Sequence, residues 1–309
     1  MLIVLVPWVA LLVFVVAVVA RVVKILSLPV HVRWELYPVA HERNASYGGS
    51  FFEYLNWWKQ PRTHSKLGTL KVMVPEILLL HGVHAHNREL WRRSFPFHFG
   101  LYCGAAFLGL LVVGALLPSV GVPVGAEAGG IGVVVHWVTA GVGIGGLVLA
   151  FFGALALLLR RLGSPMLRAY SAPADLANLV LFLAVTGLSL VAVIQVDHDL
   201  SGMRAIAQGA LRLQPVTDVP ALSAAAVILA SVLFAYIPSS HMSHFFTKWF
   251  MYHDIRWDDA VNEVGSPLEK KIMKQLTTYR VTWNAQHIRG EGRTWAEVAT
   301  EDVSGDDKK

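Results

Sequence analysis

Five stretches of this chain are almost continuously apolar: roughly 2-24, 97-117, 131-159, 176-196 and 220-242. Each is long enough to cross about 30 Å of hydrocarbon at about 1.5 Å of rise per residue. The pattern predicts an all-α polytopic membrane protein, a five-transmembrane-helix bundle. No Asp or Glu lies inside any of the five runs. A charge buried in lipid costs roughly 2.5 to 3.5 kcal/mol on insertion scales, and proton relays usually leave carboxylates in the spans. The pattern therefore counts against a proton-coupled transporter.

The polar stretches between the runs are unequal. The connection from about 31 to 95 is longer than two helices need, and it is dense in aromatic residues, among them Trp34, Tyr37, Tyr47, Phe51, Phe52, Tyr54, Trp57 and Trp58. Such a loop is expected to fold on the membrane surface or against a partner. Within it, Ile77, Leu80 and Val83 follow near-helical spacing after Pro75, so Pro75 to Trp91 predicts an interfacial helix leading into the second span. After the last run, Ser266-Pro267 marks a helix start, and Thr294-Trp295-Ala296-Glu297 precedes an acidic, unpatterned end. The expected organisation is a membrane domain over 1-244 and a docking tail over 245-309 with a short disordered terminus.

Composition agrees with the pattern: 309 residues are 55% hydrophobic and 15% charged, with a mean hydropathy of +0.52. The basic residues set the orientation. The first loop carries Arg33, Arg43, Lys59, Arg62, Lys66, Lys71, Arg88, Arg92 and Arg93, whereas 118-130 carries no Lys or Arg. The third connection holds Arg160, Arg161 and Arg168; the fourth holds only Arg204 and Arg212. The positive-inside rule then places the N-terminus outside and the C-terminus in the cytoplasm. Arg21 and Lys24 follow the first run rather than precede it, which favours a retained helix over a cleaved leader. The net charge of +5 and the pI near 9.3 are explained by membrane-adjacent loops, so nucleic acid is not an expected partner. Cys103 is the one cysteine, which excludes a disulfide framework and a cluster-binding thiolate set, so any iron-sulfur cluster belongs to a partner.

Thirteen histidines sort best by predicted depth. His98 begins the second span, while His241 and His244 end the fifth on the same side. His136 and His198 are the two near the outer face. His31, His41, His64, His81, His84, His86, His253 and His287 fall in cytoplasmic segments. Two neutral imidazoles on different helices at one depth, with cations nearby, match the needs of an axially ligated haem, and His98 with His244 meets the depth condition. The same positions also suit histidines that anchor helix ends at the interface. Gly100 and Gly104 would let either a helix or a macrocycle approach closely. His241 and His244, three apart, share a helix face, so one can reach an iron while the other hydrogen-bonds a propionate or a quinone. The run from His81 to His86 lacks a carboxylate or thiolate companion at metal-ligand spacing and fits ordinary interfacial histidines. Trp8, Trp91, Trp137 and Trp249 sit at predicted boundaries as an aromatic belt.

Further residues carry a resemblance. Arg160-Arg161-Leu162, then Ser164-Pro165, Arg168 and Asp175 link the third and fourth spans, and Pro238 precedes His244 by six positions. With these features the chain resembles the membrane cytochrome b (gamma) subunit of respiratory nitrate reductases, and the likeness covers the five-helix core. It implies a haem b ligated by His98 and His244 and a prokaryotic cytoplasmic membrane. The family's second haem uses a histidine about ten residues further along the second helix, roughly 15 Å deeper, and one early in the fifth. Those places hold Leu108 and Ala226 here, so that distal haem does not carry over. The blocks at 33-38, Trp57-Trp58, Ser94 to His98, His253, 256-259 and Trp295 to Thr300 resemble relatives in sulfate-reducer respiratory complexes. Those relatives act beside an iron-sulfur protein resembling heterodisulfide reductase and exchange electrons with menaquinone.

The combined expectation is an integral cytochrome b passing electrons between a membrane quinone and a cytoplasmic iron-sulfur partner. Arg92, Arg93, Arg160 and Arg161 are the candidate propionate contacts. His136 and His198 are either ligands of a second haem iron or, separately, a quinone-site histidine and a solvated loop residue. The alternatives are a haem-free scaffold and a quinone-binding anchor without haem.

Overall fold

The computed structural model describes residues 1–29, 42–61, 65–250, 263–285 and 290–301. His31, His41, His64, His253 and His287, the blocks at 33–38 and 256–259, and the expected disordered end lie outside the described residues. The chain divides into two compact units, Met1–Arg21 with Leu70–His244, and Val22–Thr69 with Phe245–Lys309.

Through the membrane unit the elements run α1 (Leu2–Leu26), α2 (Lys66–Leu78), α3 (His81–His86), α4 (Arg88–Leu116), α5 (Ile131–Gly163), α6 (Pro165–Ala169), α7 (Pro173–Val196), α8 (Ser201–Arg212) and α9 (Ala221–Tyr236). Among the described residues, five stretches are long and apolar enough to cross a membrane: Leu2–Leu26, Arg88–Val120, Ile131–Gly163, Pro173–Val196 and Ala221–Ser239. The described residues contain no strand, only two isolated bridges. The chain is a multi-pass, all-α membrane protein.

Close packing of α4 on α5 organises the bundle. In lipid, helices gain little from apolar association, so small residues that let backbones approach are the usual adhesive. Gly100 lies against the Ala150 backbone, and a Cβ built on it would overlap the Ala150 amide. A Cβ on Gly153 would come within 2.5 Å of the Phe97 amide, and one on Gly146 within 2.6 Å of Cys103 Cβ. Phe97, held in this seam, packs edge-on against Phe182 of α7 at 4.9 Å and joins Ala154, Leu179, Val185 and Leu233 in one core. That core therefore draws on α4, α5, α7 and α9. α1 joins α9 by the Phe14–Phe234 stack at 4.3 Å.

Two helix boundaries depart from the expected pattern. The second membrane helix begins at Arg88, because the Asn87 side chain accepts the Leu90 amide and caps a polar first turn ahead of the apolar run. Pro75 lies inside α2 rather than at its start, which is set instead by Ser65, whose hydroxyl accepts the Gly68 amide. Leu80, at φ +52°, then breaks the path before α3. An additional helix, α8, occupies the fourth connection. Buried Asp197 accepts the Gly202 and Met203 amides at 2.9 Å and so satisfies its first turn.

In the other unit, the segment 42–61 forms an aromatic knot. Asn44 donates to the Ser50 carbonyl and accepts from the Tyr54 hydroxyl, while Phe51 and Phe52 meet Tyr54 and Trp57 edge to face. Beyond α10 (His244–Phe250), α11 (Pro267–Thr278) starts at Ser266 as expected, its hydroxyl accepting the Glu269 amide. α12 (Trp295–Ala299) starts with a reciprocal Thr294–Glu297 capping box.

Candidate functional site

His98 stands in the third turn of α4, and His244 opens α10 just past the fifth span. What sets His244 there is the local chemistry of the chain between them and α9. Buried Pro238 lies in a 3-10 turn that ends α9, and the Ser240 hydroxyl accepts the Met242 amide to start a second such turn over His241–Ser243. Ser240 and Ser243 are buried and Met242 packs on the core, so the turn is pinned from inside. Arg21 of α1 pins it from another helix, donating to the carbonyls of Pro238 and Ser240 at 2.9 and 3.0 Å.

The two rings meet. Their centroids are 6.2 Å apart with planes inclined at 64°. Two metal–imidazole bonds of about 2.0–2.1 Å, with the remainder of a ring beyond each, set centroids roughly 6 to 6.5 Å apart, so the pair has the spacing for one metal between them. The protonation pattern fits as well. His98 Nδ1 donates to the Ser94 carbonyl at 2.7 Å, with the Ser94 hydroxyl 3.2 Å away, and His244 Nδ1 faces the His241 carbonyl at 3.3 Å. Each carbonyl fixes the proton on Nδ1 and leaves the lone pair on Nε2, the usual arrangement around a ligating histidine.

His241 points elsewhere. Its Nε2 lies 3.6 Å from Asp175 Oδ1, and its Nδ1 is 3.4 Å from Asn178 Nδ2 on α7. Asp175 also approaches Arg161 at 3.6 Å, and Arg161 donates to the Ser171 hydroxyl at 2.8 Å. Although His241 and His244 are three apart, the 3-10 turn gives them separate partners.

At the opposite end of the bundle, His136 of α5 is 2% exposed. Arg204 of α8 donates to its Nδ1 at 3.3 Å, and Arg204 donates also to the Asp199 carbonyl at 2.6 Å. A guanidinium can only donate, so Nδ1 accepts and the ring proton sits on Nε2. Burial lowers the Arg204 pKa from its ordinary value, against the opposing charges of Asp199 and Asp197. Burial works to raise the Asp199 carboxyl, but the Ser201 hydroxyl and amide and the Arg204 charge hold it below the ordinary carboxylate range. His198 is exposed.

A family model for the nitrate reductase gamma subunit matches residues 84–258, more than half of the chain. The chain belongs to the nitrate reductase gamma subunit family. No curated protein matches it. The matched range takes in α4 to α9, the His241–Ser243 turn, and both His98 and His244, whereas α1 with Arg21 lies outside it. The gamma subunit family is one of membrane haem b electron-transfer subunits in respiratory complexes.

Of the candidate arginines in this gamma-family chain, Arg161 leads by contacts to His241, whereas Arg92 and Arg93 line a groove with α5, and Arg160 lines an adjoining depression with Arg93. Gly100 serves helix packing, and Gly104 has open space where a Cβ would stand. Sequence reasoning missed Arg21, Ser94, Asn178, Asp197 and Arg204. Ser94 had a usable signal, since i,i+4 spacing places its carbonyl under His98 on the same helix face. His84 packs edge-on against Trp91, as an interfacial histidine would, and the described residues hold no cluster of three or more metal-binding side chains.

Proposed function

We propose that this chain is an integral cytochrome b that holds haem b between His98 and His244 and connects a bilayer quinone with an iron-sulfur partner. The observation that carries the reading is the 6.2 Å ring spacing, with both Nδ1 atoms turned to backbone carbonyls. Bound there, haem b supplies a one-electron redox couple. His98 and His244 hold the ligand positions on separate elements, and the Ser94 carbonyl raises the basicity of the His98 ring. Arg161, oriented by Asp175, offers positive charge beside the ligand turn for a propionate. The basic first loop supports placing this end of the bundle at the cytoplasmic face, where an iron-sulfur protein resembling heterodisulfide reductase would dock.

His136 supplies the second half of the reading. Its Nε2–H is a donor for a quinone carbonyl in the half of the bundle remote from His98. That proton assignment favours menaquinone over a second haem iron shared with exposed His198. Quantifying haem b by pyridine haemochrome tests both halves. The wild-type chain is expected to hold one haem, with His98→Ala and His244→Ala losing the bis-histidine spectrum. Unchanged haem content and spectrum in both variants would reject the ligand assignment. A second haem in the wild type would return His136 and His198 to iron ligation.

A further inference from the structure

α4 presents a second face that the ligand pair does not use. Arg92, Arg93 and Pro96 lie roughly 120–160° around the helix axis from His98. There they line a groove of about 230 Å³ whose far wall, on α5, includes Val148, Phe152 and Gly153. The groove continues into a depression of about 360 Å³ bordered by Arg93 and Arg160. From Val148 to Arg160 the α5 wall is a single stripe about 18 Å long, apolar along the part buried in the bundle's hydrocarbon depth and cationic at its end. α5 has 33 residues, so at about 1.5 Å each it outreaches a 30 Å hydrocarbon core, and its last turn stands at headgroup level. The one acid on the rim, Glu89, is engaged by Arg93 at 2.6 Å and also feels the charge of Arg160, but among the described residues no carboxylate oxygen stands within 4.0 Å of Arg92 or Arg160.

We propose that this groove binds an anionic phospholipid of the bilayer, its phosphate against Arg92 and Arg160 and one acyl chain along the apolar stripe. Charge complementarity selects the headgroup, because juxtamembrane basic residues attract anionic lipid. Depth selects the lipid. A soluble partner or a free phosphate could meet the arginines but not the stripe inside the hydrocarbon, and a quinone would fill the stripe without using the charge.

Native mass spectrometry of the purified full chain, offered equal dioleoyl-phosphatidylglycerol and dioleoyl-phosphatidylcholine in micelles, tests this. The wild type is expected to carry the phosphatidylglycerol adduct in at least about tenfold preference, and R92Q/R160Q to fall to near parity, roughly fivefold per arginine. R88Q, which neutralises an exposed arginine outside the groove, is expected to keep the preference. Equal retention of the two lipids by the wild type, or a preference that survives in R92Q/R160Q, would overturn the site. Loss of preference in R88Q as well would mean general surface charge and also overturn it. Displacement by inorganic phosphate would reassign the arginines to a free anion. Haem content of each variant reports intact folding.

Discussion

Arg21 makes the sharpest mechanical prediction, because one side chain of α1 holds the carbonyls that precede the His241–Ser243 turn. It donates to Pro238 and Ser240, so replacing it by Met removes both bonds, and of the two carbonyls Ser240 then keeps the Ser243 amide. Hydrogen bonds to a charged group contribute about 1.5–3 kcal/mol each, so even with water recovering part, anchoring should weaken by about 3 kcal/mol. At 1.4 kcal/mol per tenfold, the opened population of the turn rises about a hundredfold. Hydrogen exchange by mass spectrometry reads this directly: amides of 239–244 should exchange about a hundredfold faster in Arg21→Met, while the α5 seam from Gly143 to Gly153 stays protected. Arg21→Lys, which keeps a charged donor, should recover part of the protection. Unchanged exchange at 239–244, or equal acceleration in the α5 seam, would refute the anchoring role.

Three further outcomes follow from particular contacts. Gly100→Ala should lower thermal stability in detergent by about 1–3 kcal/mol through overlap with the α5 backbone, whereas Gly104→Ala, entering open space, should leave the melting temperature unchanged. His136→Ala should keep its haem but slow haem reduction by a soluble menaquinol analogue at least about a hundredfold in stopped flow; loss of haem instead would make His136 a ligand. Glu297 is held below its ordinary 4.5 by the Thr294 amide and hydroxyl, so the α12 cap is fully formed above that value and lost as pH falls through the lower folded one. Relative to intrinsic rates, amide protection at Val298 and Thr300 should be flat near neutrality and fall in acid, and Glu297→Gln should abolish that pH dependence.

The spans were legible because uninterrupted apolar length is a strong signal; depth brought His98, His241 and His244 to one end, and the resemblance, through Pro238, singled out His244. The boundaries were less so. Arg88 to Trp91 reads as the end of a separate interfacial helix and the span as starting near 97, yet Asn87 caps one continuous helix from Arg88 that simply emerges from the apolar layer. α8 escaped notice because its 12 residues are amphipathic at helical spacing and so do not stand out as an apolar run. Arg204–His136 and Arg21–Ser240 join residues 68 and 219 apart, and no local periodicity encodes such pairs. Arg21 was noticed only as a topological charge, although a basic residue within the last two turns of an apolar helix needs a partner or an interface.

The two histidines proposed as ligands are not equivalent, and the difference bears on how each would hold the iron. His98 Nδ1 donates at 2.7 Å to a carbonyl within its own helix, and the ring is half-buried; His244 Nδ1 faces its carbonyl at 3.3 Å, on an exposed ring held by a 3-10 turn. A shorter hydrogen bond puts more electron density on Nε2, and a helix holds its geometry better than a turn, so His98 should be the stronger and more rigid ligand. His244→Ala is then expected to retain five-coordinate, high-spin haem on His98, whereas His98→Ala should lose most of its haem, since the turn alone cannot keep His244 oriented. Electron paramagnetic resonance of the two oxidised variants separates these states. Equal haem loss in both would mean that the protein requires the pair as a unit, and a high-spin species retained in His98→Ala but absent from His244→Ala would reverse the ranking and place the dominant restraint in the turn that Arg21 holds.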